Sequence, residues 1–295
     1  MSIVKKIRSV FSFLFFYKLL KKIDLYLVKY VSANTLGATR NRLIQLSIFH
    51  LKGKRNISFN FDGLFNKRNE DDTTSILIVG NADTKKRAGE LIDSFPGIVA
   101  RMNRFQDVKA EYYGRKTNYW LLTEPLVFDE RNYYRNNIRR IRKDHSELYK
   151  CYLMPRLKNE DDYFQFCRNV ENYEGLEVYD TTSALNLYRN IVNQFISQGG
   201  KLIIKNQTFF NEYGYPNPST GLLAILFFLK LGYKVYISNF DFFKTNHYWV
   251  DEMDKTQSAS IFRGQNVDNI IGDHEFHFEE HLVDQLMENG FVNKL

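Results

Sequence analysis

A chain of 295 residues with 44% apolar composition holds enough hydrophobic material for one large domain or two small ones, which excludes a disordered or low-complexity protein. Its formal charge of +7 favours anionic partners as a class (nucleic acid, phosphorylated metabolites or an acidic membrane) without choosing among them. Two cysteines, Cys151 and Cys167, stand in no ligand spacing; they exclude a disulfide-dense secreted scaffold and point to a reducing compartment, with a pairing between the two left open.

The first residues, "MSIVKKIRSVFSFLFFYKLLKKIDLYLVKYV", begin like a signal peptide, yet the apolar run Val10 to Tyr17 is too short to span a bilayer and no small-residue cleavage site follows. Lys5, Lys6, Arg8, Lys18, Lys21, Lys22 and Lys29 interrupt Phe, Leu and Ile at helical spacing. That is the pattern of a helix lying in an anionic membrane interface with its lysines reaching outward, and residues 1–32 are assigned to it. The same apolar stripe would also serve a helix docked on its own domain or on a second subunit. Residues 33–74, which include the polar, turn-rich "GKRNISFNFDGLFNKRNEDDTT", read as a linker with one hairpin.

The main domain, residues 75–295, opens on the short buried strand "SILIVGN", which ends in Gly80 and Asn81. "GELIDSF" and "GIVARMN" follow as a short helix and a second strand, the latter closing on Asn103. A strand running into Gly-Asn is how a nucleotide crevice often opens at the carboxyl end of a parallel sheet, although the glycines form neither a dinucleotide fingerprint nor a phosphate loop. "TNYWLLTEP" predicts a strand, "NIRRIRKDHSELYK" a basic helix or connector, and "SALNLYRNIVNQFISQ" an amphipathic helix. "PSTGLLAILFFLKLGYKVYISNFDFF" then predicts a turn, a buried helix from about Gly221 to Leu231, a Gly232 C-cap and a strand. The alternation of strand and helix argues for an α/β fold with a mostly parallel sheet covered on both faces.

Near the end of the chain, "GDHEFHFEEHL" crowds three histidines and three glutamates into Gly272 to Leu282. His277-Phe278-Glu279-Glu280-His281 has the H-x-x-E-H form of an inverted zinc peptidase, but that site needs a further carboxylate ligand well downstream and only fourteen residues follow His281. His277 and His281 then read as exposed helix positions within reach of an acceptor, and the plainer His274 stands as a candidate base. "DEMD" from Asp251 is a loose imitation of a metal-holding D-x-D and reads as a solvated acidic turn.

Four of these stretches, in order, resemble the motifs of the animal-type sialyltransferases, glycosyltransferase family 29. "ILIVGNADTKKRAGELIDSFPGIVARMNRF", extended by "AEYYGRKTNYWLLTEP", is similar to the large motif, and "PSTGLLAILFFLKLGYKVYISNFDF" to the small one. "HYWVDE" from His247 resembles the third motif, with Val250 delaying the acid Asp251, and His274 through Glu279 supplies the fourth, H-x-x-x-x-E. Three departures accompany the match. The cysteines that join the family's large and small motifs are absent, the small motif's later glycine appears as Asn239 or Phe240, and a basic interfacial helix replaces the Golgi-type anchor.

The resemblance implies a Rossmann-like fold of the sialyltransferase type and a bacterial enzyme that uses a CMP-sugar as substrate, with no separate cofactor and no metal. His274 would take the acceptor hydroxyl's proton, because imidazole titrates near the working pH, and His247 would hydrogen-bond the leaving phosphate. Gly80, Asn81, Asn103 and Tyr248 would hold the nucleotide, and Ser219, Thr220 and Gly221, at a helix start, would favour the sugar carboxylate. Plain strand-end turns and helix capping would use the same Asn and Ser residues. Glu279, five residues beyond His274, is expected to fix a loop or a helix start.

The reading is thus an inverting, metal-independent transferase of sialic acid or Kdo, acting on lipooligosaccharide or capsule from the cytoplasmic face of the cell membrane. Its partners would be CMP-sialic acid or CMP-Kdo, a glycan or glycolipid acceptor and an anionic membrane surface, with no nucleic acid. The alternatives are a sialyltransferase-like fold with another nucleotide sugar, or a non-catalytic membrane-surface module.

Overall fold

In a computed structural model of the chain, residues 57–65, 74–82, 86–105, 109–128, 132–200, 202, 207–242 and 276–295 are described. Segment 1–32 lies outside them, as do His247, Tyr248, Asp251 and His274.

The apolar runs of the domain become strands of one parallel sheet. β1 (Ser75–Val79), β2 (Ile98–Met102), β3 (Tyr119–Leu122), β4 (Lys150–Leu153), β5 (Leu176–Val178), β6 (Lys234–Ser238) and β7 (Val292–Lys294) lie in the order β5-β4-β3-β2-β1-β6-β7. Every adjacent pair is parallel, with Ile76 beside both Ile98 and Val235. Strands buried on both faces need near-continuous hydrophobic sequence, and Ile76 to Val79 are all within 1% exposure. The edge strands β5 and β7 each bury a single residue, Leu176 and Val292, and are three residues long. The chain builds β1 to β5 in one direction, then returns to place β6 on the other side of β1, so the topological switch lies between β1 and β6.

Helices cover both faces. On one face lie α6 (Thr182–Ser197), α8 (Thr220–Lys230) and α9 (Phe276–Glu288), packed against Ile76, Ile78, Met102, Leu121 and Ile237. α8 buries every residue from Gly221 to Leu229, as an all-apolar helix must. Its end is a Schellman motif: Gly232 at φ 83° lets its own N–H reach the Leu229 carbonyl at 3.1 Å and the Tyr233 N–H reach that of Phe228 at 3.0 Å. On the other face α1 (Gly89–Asp93) covers Leu77, Val79 and Val99. Beside it α3 (Glu124–Phe128), α4 (Tyr133–Asp144) and α5 (Glu160–Val170) enclose Trp120, Leu122, Cys151 and Leu153. The short α2 (Ala110–Tyr113) and α7 (Gln207–Tyr213) complete the described helices. Both cysteines are free thiols, and burial pushes Cys151 up to about 11.

Residues 57–65, read from sequence as part of a linker, belong to the packed body instead. Ile57, Phe59 and Phe61 enter the core, with the Phe59 ring edge-on to Phe278 at 5.9 Å. Among the described residues the segment pairs with no strand. Side-chain amides satisfy its backbone: Gln285 accepts from the Phe59 N–H at 2.7 Å and donates to the Ile57 carbonyl at 2.6 Å, while Gln194 accepts from the Asn60 N–H at 2.9 Å.

His281 also serves this segment. Its Nε2 lies 2.7 Å from the Ile57 carbonyl and its ring packs 5.4 Å from Phe59, so it is not the exposed, acceptor-facing position expected from sequence. His277 is likewise only partly exposed.

Candidate active site

The carboxyl ends of β1, β2 and β6 meet the start of α8, and six of the residues singled out in the sequence gather there. Gly80 is required by packing: a Cβ on it would stand 2.3 Å from the Asn239 carbonyl oxygen, and its N–H donates to the Ser238 carbonyl at 2.8 Å. Gly221 is equally confined, since a Cβ there would meet the Phe240 ring at 2.5 Å. The two glycines therefore hold the end of β6 tightly against β1 and α8.

Asn81 reaches from the end of β1 to the end of β2, donating from Nδ2 to the Met102 carbonyl at 3.1 Å. Asn103 takes the left-handed conformation at φ 52°, which asparagine tolerates better than most side chains. Its backbone N–H donates to Leu121 at 2.7 Å and its carbonyl accepts from the Trp120 indole at 2.7 Å. Its side chain accepts from the Thr123 N–H at 3.2 Å and donates to Thr220 Oγ1 at 3.2 Å. One asparagine thus ties β2, β3 and the first residue of α8 into a single corner.

Ser219 is the N-cap of α8, accepting from the Leu222 N–H at 3.2 Å. It is also held by Glu279, whose two carboxyl oxygens accept from the Ser219 N–H at 2.8 Å and the Ser219 hydroxyl at 2.5 Å. Glu279 is 1% exposed, and burial pushes it up to about 7 against the hydrogen bonds from Ser219 that pull it down. The glutamate of the fourth motif therefore fixes a helix start, as its spacing suggested, but the start of α8 rather than that of its own helix. Thr220 and Gly221 follow at the first turn of α8, so their backbone N–H groups stand at the positive end of its dipole.

Arg156, on the loop after β4, carried no signal beyond a lone arginine after an apolar run. Its backbone N–H and Nη1 donate to Glu124 at 2.7 and 3.2 Å, Nη2 donates to the Pro218 carbonyl at 3.1 Å, and Nε donates to Asn217. The ion pair is mostly buried, with side-chain exposures of 13% for Arg156 and 22% for Glu124. It ties the ends of β3 and β4 to the turn preceding Ser219.

Asn239, not Phe240, has the glycine-like backbone at the end of β6, with φ 57°. Its amide nitrogen is buried and has no hydrogen-bond partner among the described residues, while its Oδ1 accepts from the Ser238 hydroxyl at 3.4 Å. Among the described residues, no group of three His, Cys, Asp or Glu side chains is placed to hold a metal ion, and no helix is long and apolar enough to cross a membrane.

Among solved structures, the chain is similar to the sialyltransferase CstII from Campylobacter jejuni in complex with the substrate analogue CMP-3FNeuAc. The identity is 18%, over 76% of this chain and 82% of that one, with a TM-score of 0.47. It is also similar to the monofunctional α-2,3-sialyltransferase Cst-I from Campylobacter jejuni, at 16% identity over 78% of each chain and a TM-score of 0.48. A mammalian sialyltransferase matches at 18% identity over 76% of this chain and 69% of that one, with a TM-score of 0.42. The sequence matches no protein-family model and no curated protein.

Proposed function

We propose that the chain is a CMP-sugar-dependent glycosyltransferase. It moves a 2-keto sugar acid, sialic acid or Kdo, to a hydroxyl of a cell-surface glycan such as lipooligosaccharide core or capsule, with inversion and without a metal. The observation that carries the reading is the convergence of Asn81, Asn103 and the Ser219–Gly221 turn at the switch point of a parallel sheet, where such folds bind nucleotides; Asn103 and Thr220, hydrogen-bonded there, are 117 residues apart in sequence.

Each group has a task. Donor transfer requires that a departing phosphate and a cationic sugar centre be stabilised while the acceptor hydroxyl loses its proton. Thr220 and Gly221, with the dipole of α8 behind them, suit the sugar carboxylate. Asn81 and Asn103 border the nucleotide. His247 and Tyr248 are assigned to the phosphate side and His274 to the acceptor proton. Segment 1–32 is assigned to the inner leaflet of the cell membrane, close to the glycan precursors.

A second reading, the same fold with a different nucleotide sugar, is favoured by one feature. Asn239 brings an amide, with a buried nitrogen, to the place where the family resemblance expects a glycine.

CMP should raise the melting temperature, by about 3 kcal/mol of added stability when present at a hundred times its Kd, whereas UDP and S-adenosylmethionine should not. A chain indifferent to CMP overturns the CMP-donor reading. With CMP-sialic acid or CMP-Kdo and a glycan panel, His274→Ala should abolish transfer and keep the CMP response; undiminished turnover removes the base assignment.

A further inference from the structure

Helix α4 turns Tyr133, Tyr134, Ile138 and Ile141 into the core and presents Arg135, Arg139 and Lys143 to solvent. These three cations fall at i, i+4 and i+8, about 6 Å apart along one ridge. Like charges at this spacing repel along the helix, an effect opposed at its two ends by the stacking of Arg135 on Tyr173 and by the place of Lys143 in the last turn. None of the three forms an ion pair among the described residues; the helix pairs instead on its flank, through Arg142 with Glu174 at 3.5 Å.

The ridge runs at its head into aromatic rings. The Arg135 guanidinium lies 4.2 Å from the centre of the Tyr173 ring, and Tyr173 is edge-on to Phe128 at 5.9 Å. Phe128 is 37% exposed, a large apolar side chain at the surface. Basic side chains reaching outward beside half-exposed aromatics form the composition of a bilayer interface, where rings sit at headgroup depth and cations meet anionic lipid. Phe128 ends α3, which follows the carboxyl end of β3, so the aromatic end lies on the same edge of the sheet as the candidate site.

We propose that the outer ridge of α4, headed by Tyr173 and Phe128, seats on an anionic membrane surface and holds the carboxyl-end rim of the sheet close to the lipid. This contact is separate from segment 1–32 and does not depend on the identity of the donor sugar. A plane fits the ridge better than a nucleic-acid groove does. The exposed carboxylates of Asp144, Glu147, Glu171 and Glu174 flank α4 and its loops, and they would oppose a phosphate backbone wrapped around the helix while leaving the ridge open to a flat surface.

The test uses the full chain, with phosphatidylcholine vesicles with and without phosphatidylglycerol. The variant Arg135→Gln/Arg139→Gln/Lys143→Gln should partition onto the anionic vesicles roughly a hundredfold less, about fivefold for each cation, with neutral-vesicle binding unchanged. A charge-matched control, Arg87→Gln/Arg168→Gln/Lys234→Gln, should stay near wild type. The melting temperature of the α4 variant should stay near wild type, because relief of the two like-charge pairs offsets the lost contact of Arg135 with Tyr173. In a second measurement, the fluorescence of a Phe128→Trp variant should shift to the blue on anionic vesicles only.

Equal losses in the two triple variants would make the effect one of net charge and overturn the proposal. So would unchanged partitioning, a Phe128→Trp emission indifferent to vesicles, or an oligonucleotide that binds more tightly than vesicles and is lost with the same three cations.

Discussion

Among the described residues one arginine and one glutamate are buried to 1% exposure, Arg101 within β2 and Glu279 beneath the start of α8, and they are satisfied in different ways. Arg101 spreads its charge over several oxygens: Nη2 donates to the Tyr113 carbonyl at 2.6 Å, and Nε donates to the Thr117 hydroxyl at 2.9 Å and to the Lys116 carbonyl at 3.3 Å. Beside it, burial first and Arg101 further down hold His145 below the usual histidine range, so the imidazole stays neutral next to the guanidinium. Among the described residues Glu279 meets only the N–H and hydroxyl of Ser219 in its hydrogen bonding, and at about 7 it changes charge within the physiological range. The difference separates a permanent charge that braces the scaffold from a titratable one placed at the candidate site.

The largest effect should come from removing the brace. Arg101→Met deletes the donors to Tyr113, Lys116 and Thr117, and the loss should be on the order of 3 kcal/mol, seen as a melting temperature lower by roughly 6–12 °C. The CMP response of the folded variant should persist. A melting temperature equal to wild type would dissolve the contrast between the two centres.

Glu279 predicts a pH dependence. Because its folded-state value is raised from 4.5 to about 7, the folded protein keeps a proton that the unfolded chain releases between these values. Its contribution to stability is complete below pH 4.5 and fades as pH rises through about 7, by about 3 kcal/mol in all. Glu279→Gln has no such proton. The stability difference between wild type and variant, from denaturant titrations across roughly pH 4.5 to 8, should therefore change by about that amount in the variant's favour. A difference independent of pH would place the carboxyl in a wetter, better-solvated setting.

Why the sequence revealed some of this and not the rest follows from the kind of contact involved. β1, β2, β3, α4, α6, α8 and β6 are carried by apolar runs or helical periodicity bounded by turn residues, all local signals. β4, β5, α5 and β7 are short or interrupted by charge, and the two edge strands bury one residue each, too little for any pattern. The alternation Ile57, Phe59, Phe61 was visible, but it lay in a polar stretch that resembles a linker, and its backbone is satisfied by Gln194 and Gln285 from remote helices. Within the site, Asn81, Asn103 and Ser219 were legible because strand ends and helix caps demand those residue types. The pairings of Ser219 with Glu279 and of Arg156 with Glu124 span 60 and 32 residues and exist only once the sheet has brought the segments together.

The smallest and most local prediction joins the cap to the titration. Ser219→Ala removes the oxygen that receives the Leu222 N–H and the hydroxyl that donates to Glu279, while leaving the backbone N–H to the other carboxyl oxygen. At about pH 5, where Glu279 is protonated, the cap and a neutral hydrogen bond to the carboxyl are lost, about 2 kcal/mol together. At about pH 8 the lost hydrogen bond is a charge-assisted one to the carboxylate, so the deficit should grow by about 1 kcal/mol more. Losing one of its two donors also raises Glu279 further, which moves the midpoint of the pH dependence upward. Denaturant titrations of the variant at the two pH values decide the matter: equal deficits would mean that the hydroxyl caps α8 without sensing the carboxylate, and the start of α8 would then be independent of the proton on Glu279.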